Sequence, residues 1–273
     1  MVLRTLPLLI LAACVAPRDP EDPSGWYASG DSLDVEEYVA FTDQPYPDFG
    51  AENTIADFND AVFPTKPYTL TYGPEEVRPE GTTCQYAEDR SLPMEIEGVV
   101  TLHPRYYFKT MGCDNGDEKF YGNYFIEDAT GGAFILGDSK VAHFGMGDRV
   151  RLKVRGVRTT FDLNMVYAHD VVEVTRGPFP IYYSEPSGPL GADDVAKVQR
   201  VTGTVLSEKD DFGAFRVESD NGTTYDVSLD AELSRRGVGW YPGDRITVTG
   251  PVIYSYSAYS IIIMRKGQVQ VLD

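Results

Sequence analysis

The chain has 273 residues with 42 acidic and 24 basic side chains, a formal charge of −18, three cysteines and three histidines. That excess of acid excludes a protein that grips phosphate backbones over its whole surface, and His103, His143 and His169 are too few and too scattered for a histidine-rich metal site. Twenty-six glycines, eighteen prolines and eighteen tyrosines point to short strands and many turns, and the length points to two domains.

Residues 1–14 read MVLRTLPLLILAAC: one base, Arg4, then an apolar run from Leu6 to Ala13, then Cys14. The run is too short for a helix that spans ~30 Å of hydrocarbon and reads as an export signal. Its last residues, Leu11-Ala12-Ala13-Cys14, resemble the lipobox of bacterial lipoproteins. The resemblance implies removal of residues 1–13 as a signal peptide, acylation at Cys14, palmitate included, and a membrane anchor in the cell envelope. Val15, in place of an aspartate, favours the outer membrane and leaves the leaflet open. An ordinary secretory signal with an incidental cysteine is the alternative. Export places the chain in an oxidising compartment, where Cys84 and Cys113 are candidates for a disulfide or remain two free thiols.

Residues 14–93 hold 17 acids and four bases and form an acidic, partly disordered tether and N-terminal extension. Pro17 to Gly25 is a solvated tether. Thr54-Ile55-Ala56-Asp57 has the pattern of an N-cap with an acid three residues on, opening a short helix to about Val62. Tyr68 to Tyr72 reads as a strand, and part of 34–93 is expected to pack on the domain that begins at Met94.

The remainder contains one pattern twice. In residues 94–176, the strand Met94–Val100 carries Gly98 in its middle. Strands Tyr121–Glu127 and Ala133–Gly137 come next, and Gly147-Asp148-Arg149 opens an alternating strand to Val157 before a last one near Asn164–Val174. After a linker at 177–196, residues 197–273 repeat it: Gly203 in the first strand, the Asn221-Gly222 hairpin turn, Gly243-Asp244-Arg245 and a final strand at Ser260–Arg265. Five strands with a glycine in the first resemble the OB-fold, and "EGVVT…YFIEDATGGAFIL…GDRVRLKVRGV" is similar to exported bacterial OB-fold domains described as nucleic-acid-binding or of unknown function. The expected class is all-β: two tandem five-stranded OB-fold-like barrels after the tether. Another small barrel or sandwich is the alternative.

No serine-hydrolase elbow, zinc-protease helix, Walker loop or Cys-x-x-Cys occurs, so no catalysis, no cofactor and no metal site is expected. OB-folds bind ligands across strands 2 and 3 and with the loops joining strands 1–2 and 4–5. Those positions nominate Tyr106, Phe108, Tyr121 and Tyr124 in the first barrel, where residues 103–119 form a long connection, and Tyr254 and Tyr256 in the second. Arg149, Arg151, Lys153 and Arg155 alternate with Val150, Leu152 and Val154, which places four bases on one strand face. That face is expected to dock against the acidic residues 14–93, or to track phosphates. The expected function is a lipid-anchored envelope protein that binds or scaffolds a protein or glycan. Single-stranded nucleic-acid binding is the alternative.

Overall fold

Apolar residues at period two decide both cores. In a computed structural model describing residues 40–63, 85–88, 94–111, 117–137, 144–160, 163–235, 237–255 and 257–272, Val150, Leu152 and Val154 turn into one core, and Ile246 and Val248 into another. Cys14, the signal and tether residues, Tyr68 to Tyr72, Cys84, Cys113, His143 and Tyr256 lie outside the described residues, as does the side chain of Tyr121.

In chain order the elements are β1 (Phe41–Thr42), α1 (Ile55–Val62), β2 (Gln85–Glu88), β3 (Met94–Met111), β4 (Asp117–Glu127), β5 (Gly132–Ile135), β6 (Arg149–Thr160), β7 (Leu163–Thr175) and β8 (Ile181–Tyr182). Then come β9 (Val198–Val205), β10 (Ala214–Ser219), β11 (Thr224–Leu229), α2 (Ala231–Arg235), β12 (Arg245–Ser255), β13 (Ala258–Ile263) and β14 (Val269–Leu272). β3, β4, β5, β7 and β6 close one barrel in that order, and β9, β10, β11, β13 and β12 close a second. In each the third and fifth strands pair in parallel and the rest antiparallel. That is the OB-fold order twice in one all-β chain.

The glycine in each first strand sits where chains crowd. A Cβ on Gly98 would stand 2.9 Å from the Glu127 carbonyl oxygen, and one on Gly203 would stand 2.1 Å from that of Glu218. Only glycine lets the first strand pass so close to the second at this bend. The connection expected at 103–119 is largely not a loop. β3 and β4 run on as a hairpin to Met111↔Asp117, with cross-strand pairs such as Phe108↔Phe120. The ladder absorbs Pro104 through register shifts between Leu102 and Tyr106.

Residues 40–63, described before the first barrel, are built into it. Ile55, Phe58 and Val62 enter that barrel's core, so α1 closes the end where the β4–β5 turn lies. Three of its first amides are satisfied from nearby oxygens. Ile55 N–H donates to Asp128 Oδ2 at 2.8 Å, Ala56 N–H to Thr130 Oγ1 at 3.0 Å, and Asp57 N–H to the N-cap Thr54 Oγ1 at 3.0 Å. A helix start leaves such donors without partners inside the helix, and the Asp128 carboxylate also complements its positive end. Thr54→Ala is therefore expected to lower stability by about 1 kcal/mol in urea titration.

Farther out, β1 lies parallel to β8. Tyr46 and Ile181 join Val99, Met146 and Val198 in a small core that touches both barrels. The strap 40–63 and the linker thus pin the barrels together. A larger seam does most of this work: Leu102, Phe125, Phe134 and Met165 of the first barrel meet Ile253 and Ile262 of the second, all nearly fully buried.

Candidate binding surfaces

Alternation along β4 and β5 sends Tyr124, Ile126, Ala133 and Ile135 into the first barrel and Phe125 and Phe134 out of it. The outward pair stands on the face that an OB-fold offers to ligands, and the second barrel covers it. This corrects the placement of several nominated rings. Tyr124 is a core residue: its hydroxyl shares a 3.0 Å hydrogen bond with His169 Nε2, and burial pushes the phenol pKa well up. Tyr106 and Phe108 are half-buried against the inter-barrel seam, where the Phe108 ring meets that of Phe134 edge-on at 5.1 Å. Tyr254 is half-buried on the same seam and packs on Tyr259 at 4.7 Å.

The four bases on β6 do share an outward face, and among the described residues the acids that meet them come from the barrel itself. Glu97, opposite Arg151 on β3 and only 3% exposed, takes two hydrogen bonds from Arg151 at 3.0 and 2.9 Å. Arg149 Nε stands 2.9 Å from the other Glu97 oxygen, an ion pair not aligned as a hydrogen bond. The Glu97 hydrogen bonds raise the Arg151 pKa. Arg155 pairs with Asp170 on β7, and that hydrogen bond lowers the Asp170 pKa. Lys153 stands opposite the same Asp170. What the strap contributes is a ring: the Arg149 guanidinium lies 5.3 Å from the centre of Phe49 and 5.5 Å from that of Phe179. Strand pairing supplies these acids, so the stripe is largely neutralised where it stands.

The corresponding face of the second barrel, on β10 and β11, is open. It shows Arg216, Glu218, Thr224 and Asp226, one base against two acids and no ring. The same barrel's end away from the first barrel is different. Phe212 is 88% exposed, Tyr241 71% and Leu206 41%. Neither aromatic was nominated from sequence, because a single exposed ring in a loop breaks no periodicity. The available signal was a large apolar residue inside an acid-glycine turn, Asp210-Asp211-Phe212-Gly213.

Both rings are held by built turns. Asp210 Oδ1 accepts the amides of Phe212 and Ala214 at 2.9 and 2.8 Å, which commits this carboxylate oxygen to backbone. Lys209 Nζ ties the same loop to the carbonyls of Ser234 and Val238 at 2.9 and 2.7 Å. Tyr241 N–H donates to Asp244 Oδ2 at 2.8 Å. Gly243, at φ +97°, closes this turn by donating to the Val205 carbonyl at 2.9 Å. Trp240 meanwhile packs inward on Phe215 at 5.5 Å. Among the described residues no group of three or more His, Cys, Asp or Glu is placed to hold a metal ion.

No protein-family description matches the chain, and no curated protein matches it in sequence. Among solved structures it is similar to a murine DNA binding protein bound with double-stranded DNA, at 10% identity and a TM-score of 0.31, over 65% of this chain and 97% of that one. It is also similar to a structure concerned with abrogation of activation of pro-inflammatory cytokines, at 7% identity and a TM-score of 0.30, over 71% of this chain and 96% of that one. Likeness at this level carries no argument about ligand, and the OB-fold order stands on the strand pairing itself.

Proposed function

We propose that the protein is a non-catalytic binding module of the bacterial cell envelope, anchored by lipid at Cys14, that presents the outer end of its second barrel to a protein partner. The observation that carries the reading is the display of Phe212 and Tyr241 on hydrogen-bonded turns. Aromatic side chains dominate the energetics of protein interfaces, and a loop already fixed in its bound shape loses less entropy on association. Lipid at Cys14 and an outer-membrane location rest on the Leu11–Cys14 motif and on Val15.

Single-stranded nucleic acid is the competing ligand for an OB-like module. The face on β10 and β11 lacks the stacking rings and excess of base such a ligand uses, and the stripe on β6 is occupied by acids.

A photoreactive amino acid at position 212 is expected to crosslink an envelope protein in cells, while the same residue at Val172 on the first barrel gives no such adduct. Phe212→Ala and Tyr241→Ala should each weaken that complex by roughly 1–4 kcal/mol without moving Tm. Failure to crosslink from position 212, or salt-sensitive oligonucleotide binding that survives both substitutions, defeats the reading. Cys14→Ala should release the protein or leave its precursor uncleaved. Correct cleavage with retention on the membrane would overturn the anchor.

A further inference from the structure

The strap helix has two working faces. Ile55, Phe58 and Val62 fill the core, while Ala56, Asn59 and Asp60 line a cleft of about 200 Å³. Across the cleft stand Leu163, Asn164 and Met165 at the start of β7, Asp193 and Val195 of the linker, and Lys197 just before β9. The cleft therefore sits where strap, first barrel and linker converge.

Its walls are fixed with some strain. Ala196 between Val195 and Lys197 holds a positive φ of 64°, a region that costs a non-glycine residue energy. It is clamped there by its N–H to the Val252 carbonyl at 2.8 Å. It also passes so close to β5 that a Cβ on Gly132 would stand 2.4 Å from the Ala196 carbonyl. Asn59 Nδ2 donates to the Gly132 carbonyl at 3.1 Å, which orients that amide.

We propose that this cleft binds one neutral sugar residue of hexose size. The volume corresponds to about seven waters at roughly 30 Å³ each and lies below the roughly 300–1,000 Å³ of sites for drug-sized ligands. It has room for a single ring. Phe134, Leu163 and Met165 close the base of the cleft, each at most 3% exposed, so the contacts open to a ligand are those of the rim. The rim mixes amides, carboxylates and one ammonium, a set of both donors and acceptors. Hydroxyl groups, each donor and acceptor at once, use such a set fully. Asp60 and Asp193 oppose an anion, and an uncharged ligand has no charge of its own to desolvate on entering the cleft.

Occupancy would join three segments, and its signature is thermal. Glucose, galactose, mannose and N-acetylglucosamine are each titrated into the full protein in detergent, with leucine and inorganic phosphate as controls. At least one sugar is expected to raise Tm by roughly 5–10 °C at a hundredfold excess over Kd. Asp60→Ala should weaken that sugar at least tenfold by calorimetry, and Ala56→Leu, which fills the space, should abolish binding. The proposal is overturned if no sugar shifts Tm, if leucine or phosphate binds in their place, or if Asp60→Ala binds the sugar as tightly as the parent. None of these outcomes depends on Phe212 or Tyr241, so the outer end of the second barrel is tested separately.

Discussion

Replacing Phe134 with alanine is expected to lower the free energy of unfolding by about 3–5 kcal/mol. The ring is 2% exposed and meets Phe125 at 4.8 Å and Phe108 at 5.1 Å, both edge-on. Its removal would leave a cavity between two barrels, each held by its own closed sheet, with little freedom to collapse into the space. The edge-on pairs add to the lost burial. Urea denaturation checks the value, and a loss below about 1 kcal/mol would mean that the seam is not packed as described. The same substitution at Phe212 should leave the midpoint unchanged, because that ring touches solvent.

Glu127→Gln is expected to raise Tm at neutral pH, by an amount that shrinks towards pH 4. Glu127 ends β4 on the seam, 3% exposed, and its Oε2 accepts the Val198 amide at 3.2 Å. Burial pushes its pKa well above the ordinary 4.5, with the Val198 hydrogen bond and Lys197 pulling it down and Asp128 pushing it up. The phenol of Tyr46, also buried, has its pKa raised by burial first and by this carboxylate second. Below about pH 4.5 the carboxyl is protonated whether the chain is folded or not, and its contribution is fully present. Above that, the unfolded chain ionises first and binds fewer protons, so stability falls as pH rises through the folded pKa. Glutamine keeps an acceptor for Val198 and has no proton to lose. Asp170 and Asp220, whose pKa values are lowered by Arg155 and Arg245, act in the opposite direction and are common to both proteins. The difference in Tm between the two proteins, measured from pH 4 to 8, therefore isolates Glu127. A flat difference would place this carboxyl in solvent.

Features set by near neighbours were legible in the sequence. Gly98 and Gly203 marked the bends, Asn221-Gly222 marked the hairpin, and Thr54 marked the start of α1. The inward set on β6 came from period two. Partners across the fold were not legible. Glu97, Asp170 and Glu173 neutralise the β6 bases through strand register, and no spacing along the chain announces that. Phe125 and Phe134, not the nominated Tyr124, are the rings that stand on the ligand face of the first barrel. What hides them is Ile253 and Ile262, more than a hundred residues later. The cleft beside α1 draws its walls from four separate stretches and has no linear signature at all.

The strap also dictates an order in time. Tyr46 is made early, yet its hydroxyl takes the amide of Tyr182, 136 residues on. At roughly 5–20 residues per second, that partner emerges about 7–27 s later. α1 likewise waits 73 residues for the Asp128 carboxylate. The first described segment to be synthesised is thus among the last able to dock. A chain cut short before residue 182 would leave Phe41, Tyr46 and Phe49 without the aromatic cluster that shelters them. Docking of the strap is thereby tied to synthesis of the chain as far as Tyr182.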